Sequence, residues 1–399
     1  MSPLSPSPIP MLGRAHDVVC FSHLGWDFVY QRPQHLMTRC AAERRVFYIQ
    51  EPVRGRSEPR LDHRLCSSGV HVVVLHIPDG CDESATLEAL ISNFFRQQEI
   101  QSYWLWYYTP MALPWTRHLK PVGVIYDCMD ELSAFKNAPP QLRQLERELL
   151  SRSQLVFTGG MSLFEAKRDQ HPKVYPFPSS IDVSHFAKAR RFVADPDDQK
   201  QIPHPRLGFC GVIDERMDLD LMTAVADAKP DWHWVMLGPV VKISHSDLPQ
   251  MSNVHYLGMK AYSELPNYLA GWDVAVLPFA RNESTRFISP TKTPEYLAAG
   301  RPVVSTSIRD VVTPYATLGL VHIADDAGEF IAAVKKAIDE DVKQRLRHVD
   351  ALLAQNSWSR TWGRMAELMD DVIQQPAQLL SRPSFEVPVT HAASLRAIV

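Results

Sequence analysis

The sequence predicts two doubly wound α/β domains that face each other across a cleft. Apolar segments of strand length alternate with helical segments through both halves of the 399-residue chain. This is the pattern of parallel sheets with helices on both faces. Between Asp182 and Pro205 the alternation gives way to charge and proline, as expected of an interdomain linker. In such domains ligands bind at the carboxyl ends of the strands.

The composition is that of an ordinary globular protein. Hydrophobic residues make up 45% of the chain, charged residues 22%, and the formal net charge is -3. This balance, without a basic stripe, gives no reason to expect a nucleic-acid partner. The longest apolar segments fall far short of the roughly 20 residues that cross a membrane. Six scattered cysteines favour free thiols and a cytoplasmic location, and the absence of a G-x-G-x-x-G motif weighs against a dehydrogenase.

Five segments are predicted from these patterns. The first is a Pro- and Ser-containing lead without the features of a signal peptide, and the last is a tail that we expect to be disordered. Between them lie an N-terminal α/β domain, a linker and a C-terminal α/β domain, whose last helix is a candidate to pack back on the N-terminal domain. The boundaries are residues 1–16, 17–190, 191–205, 206–373 and 374–399.

Strands of the N-terminal domain are predicted wherever β-branched and aromatic residues cluster between turn residues. They lie at Asp17–Ser22, Arg45–Ile49, Gly69–Ile77, Tyr103–Tyr108, Val122–Asp127 and Leu155–Thr158. Helices are predicted from about Pro33 to Ala42 and over Thr86–Arg96, Gln141–Ser153 and Met161–Asp169. Residues 54–64 carry four arginines and are predicted to be a solvated loop, with contact to an anionic lipid or charged acceptor as an alternative.

The C-terminal domain repeats the pattern. Its strands are predicted at Arg206–Gly211, Trp234–Pro239, Val254–Gly258, Val274–Pro278, Pro302–Thr306 and Val321–Ala324. Its helices are predicted at Asp218–Ala228, Tyr262–Leu269, Ala327–Asp339, Val342–Gln355 and Ser359–Ile373.

Residues 289–306 carry the strongest local signal for a binding site. They predict a loop, a short helix capped by Ser289 or Thr293, and a buried strand. Free backbone N–H groups at such a helix start attract phosphate, and Lys292 adds a positive charge there. Glu295 lies on the same helix face, where its carboxylate suits ribose hydroxyls. A capped helix with an ordinary surface Lys–Glu pair is the alternative.

Segments in several parts of the chain occur in the order of one enzyme family. They are a hinge-like stretch at 176–186, the strand at 209–211, a nucleotide-binding section at 254–279 and the block Pro294–Ser305. Together they resemble the retaining nucleotide-sugar glycosyltransferases of the two-Rossmann-domain (GT-B) type, in the large family 4 group. Segments 25–36 and 126–132 resemble a cell-envelope and exopolysaccharide subgroup of the teichuronic acid biosynthesis type. The resemblance covers about residues 17–373.

The resemblance implies a donor site in the C-terminal domain. Glu295 takes the place of the second Glu of the family's Glu-x7-Glu motif, which is expected to hold the donor ribose. The first Glu falls at Phe287, so the chain departs from the family there. The implied donor-binding residues are Gly211, Arg216, Gly258, Met259, Lys260, Ser289, Pro290, Thr291, Lys292 and Glu295.

Catalytic and acceptor residues are also expected around the cleft. The catalytic candidates are Lys292, Glu295, Arg216, Asp127 and Asp130. The two aspartates lie at the carboxyl end of a buried strand, where capping of the next element is the alternative role. The acceptor candidates lie in the N-terminal loop and helix, where core packing or capping is the alternative for each. They are His23, Gly25, Trp26, Asp27, Gln31, Arg32 and His35.

The implied activity is hexose transfer from a UDP- or GDP-sugar, with UDP favoured, to a glycan or lipid-linked acceptor. We expect retention at the anomeric carbon, no metal or cofactor, and a role in polysaccharide or cell-envelope glycan synthesis. The implied location is the cytoplasm, with peripheral contact at the inner membrane face as an alternative. Two other functions fit the same architecture. The chain is then either a nucleotide-sugar 2-epimerase or a non-catalytic partner protein that binds a sugar nucleotide.

Overall fold

The computed structural model describes residues 16–56, 58–191 and 193–374. The predicted lead and tail therefore lie outside the described residues, apart from His16 and Gln374.

The N-terminal domain is built on a nine-stranded sheet. Its strands are β1 (Asp17–Phe21), β2 (Val46–Ile49), β3 (Val53–Gly55), β4 (Arg60–Leu65), β5 (Val70–Pro78), β6 (Tyr103–Tyr107), β7 (Gly123–Cys128), β8 (Leu155–Thr158) and β9 (Val174–Pro176). The order is β3-β5-β2-β1-β6-β7-β8-β9, and β4 alone among them pairs antiparallel, with β5. Helices α1 (Arg32–Ala41), α2 (Glu83–Gln97), α3 (Leu142–Arg152) and α4 (Met161–Lys167) connect the strands.

A short helix, α5 (Val183–Phe186), leads into the C-terminal domain. The strands of that domain are β10 (Arg206–Cys210), β11 (His233–Leu237), β12 (Val254–Gly258), β13 (Val274–Leu277), β14 (Val303–Ser305) and β15 (His322–Ile323). Its helices are α6 (Leu219–Ala228), α7 (Leu265–Ala270), α8 (Lys292–Ala298), α9 (Arg309–Val311), α10 (Ala327–Ile338) and α11 (Val342–Leu353), and α12 (Trp358–Gln374) follows. All six strands are parallel, in the order β12-β11-β10-β13-β14-β15.

This order is that of a doubly wound nucleotide-binding sheet, with the change of direction between β10 and β13. The N-terminal sheet reverses in the same way between β1 and β6. The predicted fold class, two Rossmann-like domains, is therefore confirmed.

Helix α12 returns to the N-terminal domain. Its buried side chains include Trp358, Trp362 and Met365, and they share a core with residues of β1, β2, β6 and α1. The rings of Trp362 and Trp106 lie 6.4 Å apart between centroids. The chain thus crosses between the domains twice, once near α5 and once before α12.

Two local predictions are wrong. Residues 54–64 are not simply a loop, because β3 and β4 both pair with β5 while their charged side chains face solvent, as is common at a sheet edge. Helix α8 is capped by neither predicted residue. Its N-cap is Thr291, which makes no side-chain capping bond, and Pro294 is the third helical residue.

Candidate functional site

The candidate site is a cleft between the two domains at the carboxyl end of β10. Two adjoining cavities of about 840 Å³ and 1110 Å³ form it. Five residues line both cavities: Val29, Tyr30, Cys210, Gly211 and Lys292. We call these two spaces the interdomain cleft. Its position is the one where open α/β sheets bind their ligands.

Lys292 and Glu295 form a buried ion pair at the start of α8. The Nζ of Lys292 donates to Oε2 of Glu295 at 2.6 Å, and the residues are only 9% and 5% exposed. Burial lowers the pKa of Lys292 and the Glu295 carboxylate raises it, with a net rise. Burial also raises the pKa of Glu295. The alternative of a surface pair is wrong, and of the two residues only Lys292 lines the cleft.

Arg216 contributes a second positive charge to the first cavity. Its Nη2 and Nε donate to the buried Asp214 carboxylate at 2.8 Å and 2.9 Å. Its guanidinium also lies 5.5 Å from the ring centre of Phe135 in the N-terminal domain. The Asp214 carboxylate raises the pKa of Arg216 against the lowering effect of burial. The arginine is therefore charged and held in place.

Asp130 lines the same cavity from the N-terminal domain. Burial raises its pKa to about 6, against the opposing effect of the Arg216 charge. The loop Ser289–Thr291 and Gly211 also line this cavity from the C-terminal domain, and Gln31 lines it from the N-terminal domain. The structure thus brings together most of the predicted donor residues and one predicted catalytic carboxylate.

The second cavity contains aromatic and long aliphatic side chains from both domains. Trp26, Asp27, Met259 and Lys260 line it, as does Tyr262, a residue that the sequence analysis did not select. The Tyr262 ring stacks on Tyr30 with centroids 4.6 Å apart. His185 also stacks on Tyr262, with centroids 4.3 Å apart, so both faces of the Tyr262 ring are covered by protein side chains.

Gly238 is another residue of this wall that the sequence analysis missed. Its φ is +139°, and a Cβ there would lie 2.8 Å from the carbonyl carbon of Gly211. Only glycine lets the loops after β10 and β11 approach this closely. The available signal was the Gly-Pro dipeptide, which the sequence analysis placed within the predicted strand, whereas β11 ends at Leu237.

Asp127 and Arg32 form a buried ion pair at the base of the first cavity. Nη2 of Arg32 donates to Oδ1 of Asp127 at 2.8 Å, and the side chains are 2% and 0% exposed. Arg32 lines the cavity and Asp127 does not. The guanidinium also donates to the carbonyl oxygen of Phe177 at 2.7 Å. The structure thus places Asp127 in a core contact with Arg32.

Four further predicted residues lie outside the interdomain cleft. Gly25 and Gly258 line neither of its cavities. His35 is buried and stacks on Trp358 at 4.6 Å between ring centroids. His23 lines a separate cavity of about 430 Å³ at the carboxyl ends of β1, β2 and β6. Burial lowers the pKa of His35 to about 2 and that of His23 to about 4.

Phe287, at the position of the family's first motif Glu, contacts the N-terminal domain. Its half-buried ring packs against the core that contains residues of β1, β6 and β7. The Arg286 guanidinium lies 5.2 Å from the centre of that ring. An apolar interdomain contact therefore replaces the expected carboxylate.

The described residues contain no group of three or more His, Cys, Asp or Glu side chains placed to hold a metal ion. None of the helices in residues 16–56, 58–191 and 193–374 is long and apolar enough to cross a membrane.

The C-terminal domain is similar in sequence to known glycosyltransferases. Residues 204–340 match the family described as glycosyl transferases group 1. A 151-residue segment is 29% identical to a putative teichuronic acid biosynthesis glycosyltransferase, TuaH, of Bacillus subtilis. That match covers 36% of this chain and 38% of the relative.

Solved structures share the whole architecture. The sucrose-phosphate synthase of Thermosynechococcus elongatus superposes with a TM-score of 0.67 at 15% identity, over 90% of this chain and 100% of that one. Anabaena HepE in complex with UDP gives a TM-score of 0.64 at 12% identity, over 90% and 100% of the two chains. At these identities the likeness establishes the GT-B fold.

Proposed function

We propose that this chain, a GT-B protein whose residues 204–340 match glycosyl transferases group 1, transfers a hexose from a nucleotide sugar to a glycan or lipid-linked acceptor. The observation that carries the proposal is the interdomain cleft, which has two positively charged side chains on one wall, each paired with a carboxylate. Lys292 is fixed by Glu295 and Arg216 by Asp214, and both line the first cavity. A diphosphate is the ligand that this charge arrangement suits best.

The same groups account for catalysis. Cleavage of the bond between the sugar and the diphosphate leaves negative charge on the leaving oxygen. Lys292, Arg216 and the backbone of Ser289–Thr291 stabilise that charge as it develops, in a site already organised for it. The acceptor hydroxyl attacks the anomeric carbon from the same face as the departing phosphate and gives its proton to a phosphate oxygen as the bond between the sugar and the phosphate breaks, which results in retention. No step in this scheme needs a metal or a cofactor.

The donor is proposed to be a UDP-sugar. The stacked pair Tyr30 and Tyr262 and the side chains of Met259 and Lys260 border the second cavity, where the base and ribose fit beside the phosphate groups. The Anabaena HepE structure of the same fold holds UDP, which supports this choice over GDP.

The acceptor is proposed to approach along the N-terminal wall, towards the cavity that His23 lines. That cavity also contains Glu51, Arg54, Glu83 and Trp115. Arg54 donates to both Glu83 oxygens at 2.8 Å and 2.9 Å. Such a mixture of hydrogen-bonding groups and an aromatic face suits a sugar acceptor. The similarity to TuaH, a putative teichuronic acid biosynthesis glycosyltransferase, supports a role in cell-envelope polysaccharide synthesis.

A donor panel tests the proposal. The chain is incubated with UDP- and GDP-hexoses, with and without lipid-linked and soluble glycan acceptors, and nucleoside diphosphate release is measured. We expect acceptor-dependent release of UDP. Conversion of UDP-N-acetylglucosamine without acceptor would favour a 2-epimerase instead, and UDP binding without turnover of any donor would favour a non-catalytic binding protein.

A further inference from the structure

Helix α4 of the N-terminal domain is capped by a residue of the C-terminal domain. Oδ2 of Asp310 accepts from the backbone N–H of Met161 at 2.8 Å, and Oδ1 accepts from the N–H of Ser162 at 3.0 Å. The residue at the N-cap position of α4 is Gly160, which has no side chain to do this. Asp310 is 5% exposed, so this contact between the domains is largely shielded from water.

Gly160 makes the contact possible. A Cβ at this position would lie 2.6 Å from the Cβ of Ser289 and would also collide with the Asp310 carboxylate. The backbone of Gly160 is extended, with φ of -166°, so the requirement is for space rather than for an unusual conformation. The neighbouring Gly159 and Ser289 line opposite walls of the first cavity.

Two further contacts surround this one. Arg309 forms an ion pair with Glu165 of α4 and donates to Oδ1 of Asp310 at 3.2 Å. The Phe287 ring packs against the N-terminal core a few residues before Ser289. The loop that lines the proposed phosphate site is thus flanked by interdomain contacts on both sides.

We propose that Asp310 is a positioning residue that keeps the two domains closed on the interdomain cleft. It acts by supplying the N-cap of α4 from the other domain, so that the cap exists only when the domains are together. Closure places Gly159 against the Ser289–Lys292 loop and completes the first cavity. The effect on nucleotide affinity rests on the proposed function, whereas the effect on domain closure does not.

Three variants of the full chain test this inference. Asp310→Ala removes the cap from one side, and Gly160→Ala introduces a methyl group into the contact from the other. Asp326→Ala is the matched control, since Asp326 caps α10 within the C-terminal domain by accepting from the N–H of Glu329 at 2.8 Å. Small-angle X-ray scattering reports domain separation, calorimetric titration reports UDP affinity, and the melting temperature reports stability.

We expect Asp310→Ala and Gly160→Ala to increase the radius of gyration and to weaken UDP binding about tenfold, in line with the free energy of one helix cap. Asp326→Ala should lower the melting temperature while leaving both other quantities unchanged. A wild-type scattering profile for Asp310→Ala would overturn the inference and make Asp310 an ordinary stabilising residue. If the wild type binds no UDP, the proposed function fails, and the scattering comparison still decides the role of Asp310.

Discussion

Asp127 and Asp130 lie at the carboxyl end of β7, three residues apart, and their carboxylates have different surroundings. The Asp127 carboxylate is paired with Arg32 inside the N-terminal core. Asp130 lines the interdomain cleft, where burial raises its pKa to about 6. Their residue type and their place at a strand end predicted that both lie near a site, but neither feature distinguishes them. The difference depends on Arg32, which is 95 positions away from Asp127 along the chain.

Replacing Asp130 by Asn should stabilise the protein in a pH-dependent way. The folded-state pKa of about 6 lies above the ordinary value of 3.8, so ionisation of Asp130 costs stability, and this cost appears as the pH rises from about 4 to 6. Asn has no such cost. We expect the melting temperature of Asp130→Asn to exceed that of the wild type above pH 6, with a smaller difference at pH 4. A difference that is independent of pH would contradict the raised pKa.

Lys292 and Glu295 also show that local sequence predicts a contact better than it predicts burial. Their spacing predicted contact on one helix face, and the 2.6 Å bond is there. Their burial depends on the packing of α8 against other parts of the C-terminal domain, which spacing does not encode. Burial also means that removing one partner leaves the other charge without compensation, so single substitutions of this pair combine a loss of stability with any loss of function.

At the scale of elements, α1 and α12 meet through aromatic rings. His35 of α1 stacks on Trp358 of α12, and its ring also contacts Tyr30 at 4.7 Å and Tyr262 at 5.5 Å between centroids. These ring contacts join separate parts of the molecule. Trp358 begins the helix that returns to the N-terminal domain, and Tyr262 belongs to the C-terminal domain. The buried imidazole is held neutral, with its pKa lowered to about 2.

Acid should therefore destabilise the fold partly through His35. As the pH falls below about 6.5, the unfolded chain takes up a proton on this side chain and the folded chain does not, so stability is lost. His35→Phe keeps a stacking ring and removes the proton. We expect the free energy of unfolding, measured with urea from pH 6.5 to 4.5, to fall less steeply in this variant, by a difference that approaches about 1.4 kcal/mol per pH unit at the acid end. Equal slopes for variant and wild type would show that His35 has the same pKa in the folded and unfolded chains, which would contradict the lowered pKa.

The elements themselves were largely predictable. Apolar strands and amphipathic helices were placed close to their observed bounds, as for α3, predicted at Gln141–Ser153 and observed at Leu142–Arg152. Edge strands β3 and β4 were missed because their exposed arginines resemble a loop, although backbone pairing with β5 does not depend on those side chains. The cap of α8 was misplaced because two Ser/Thr-Pro pairs gave competing signals.

At the scale of the whole molecule, two similar domains and a cleft follow from the alternation of strands and helices, and the GT-B fold confirms them. The contacts between the domains that close the cleft could not be predicted from that alternation. Asp310 and Gly160 show no local pattern that marks them, and the motif departure at Phe287 did not indicate its contact, because each of these contacts depends on residues of the other domain. Interdomain contacts are therefore where the structure adds most to the sequence.

The central claim is that the interdomain cleft binds the diphosphate of a nucleotide sugar through Lys292. Calorimetric titration of UDP into the wild type and into the double variant Lys292→Met/Glu295→Gln tests it most directly. The double variant leaves no unpaired buried charge, so its melting temperature should stay close to the wild-type value. We predict that the wild type binds UDP and that the double variant binds it about thirtyfold more weakly, as expected for the loss of one charge-assisted contact. Equal UDP affinity in the two proteins, or no binding by the wild type, would contradict the claim.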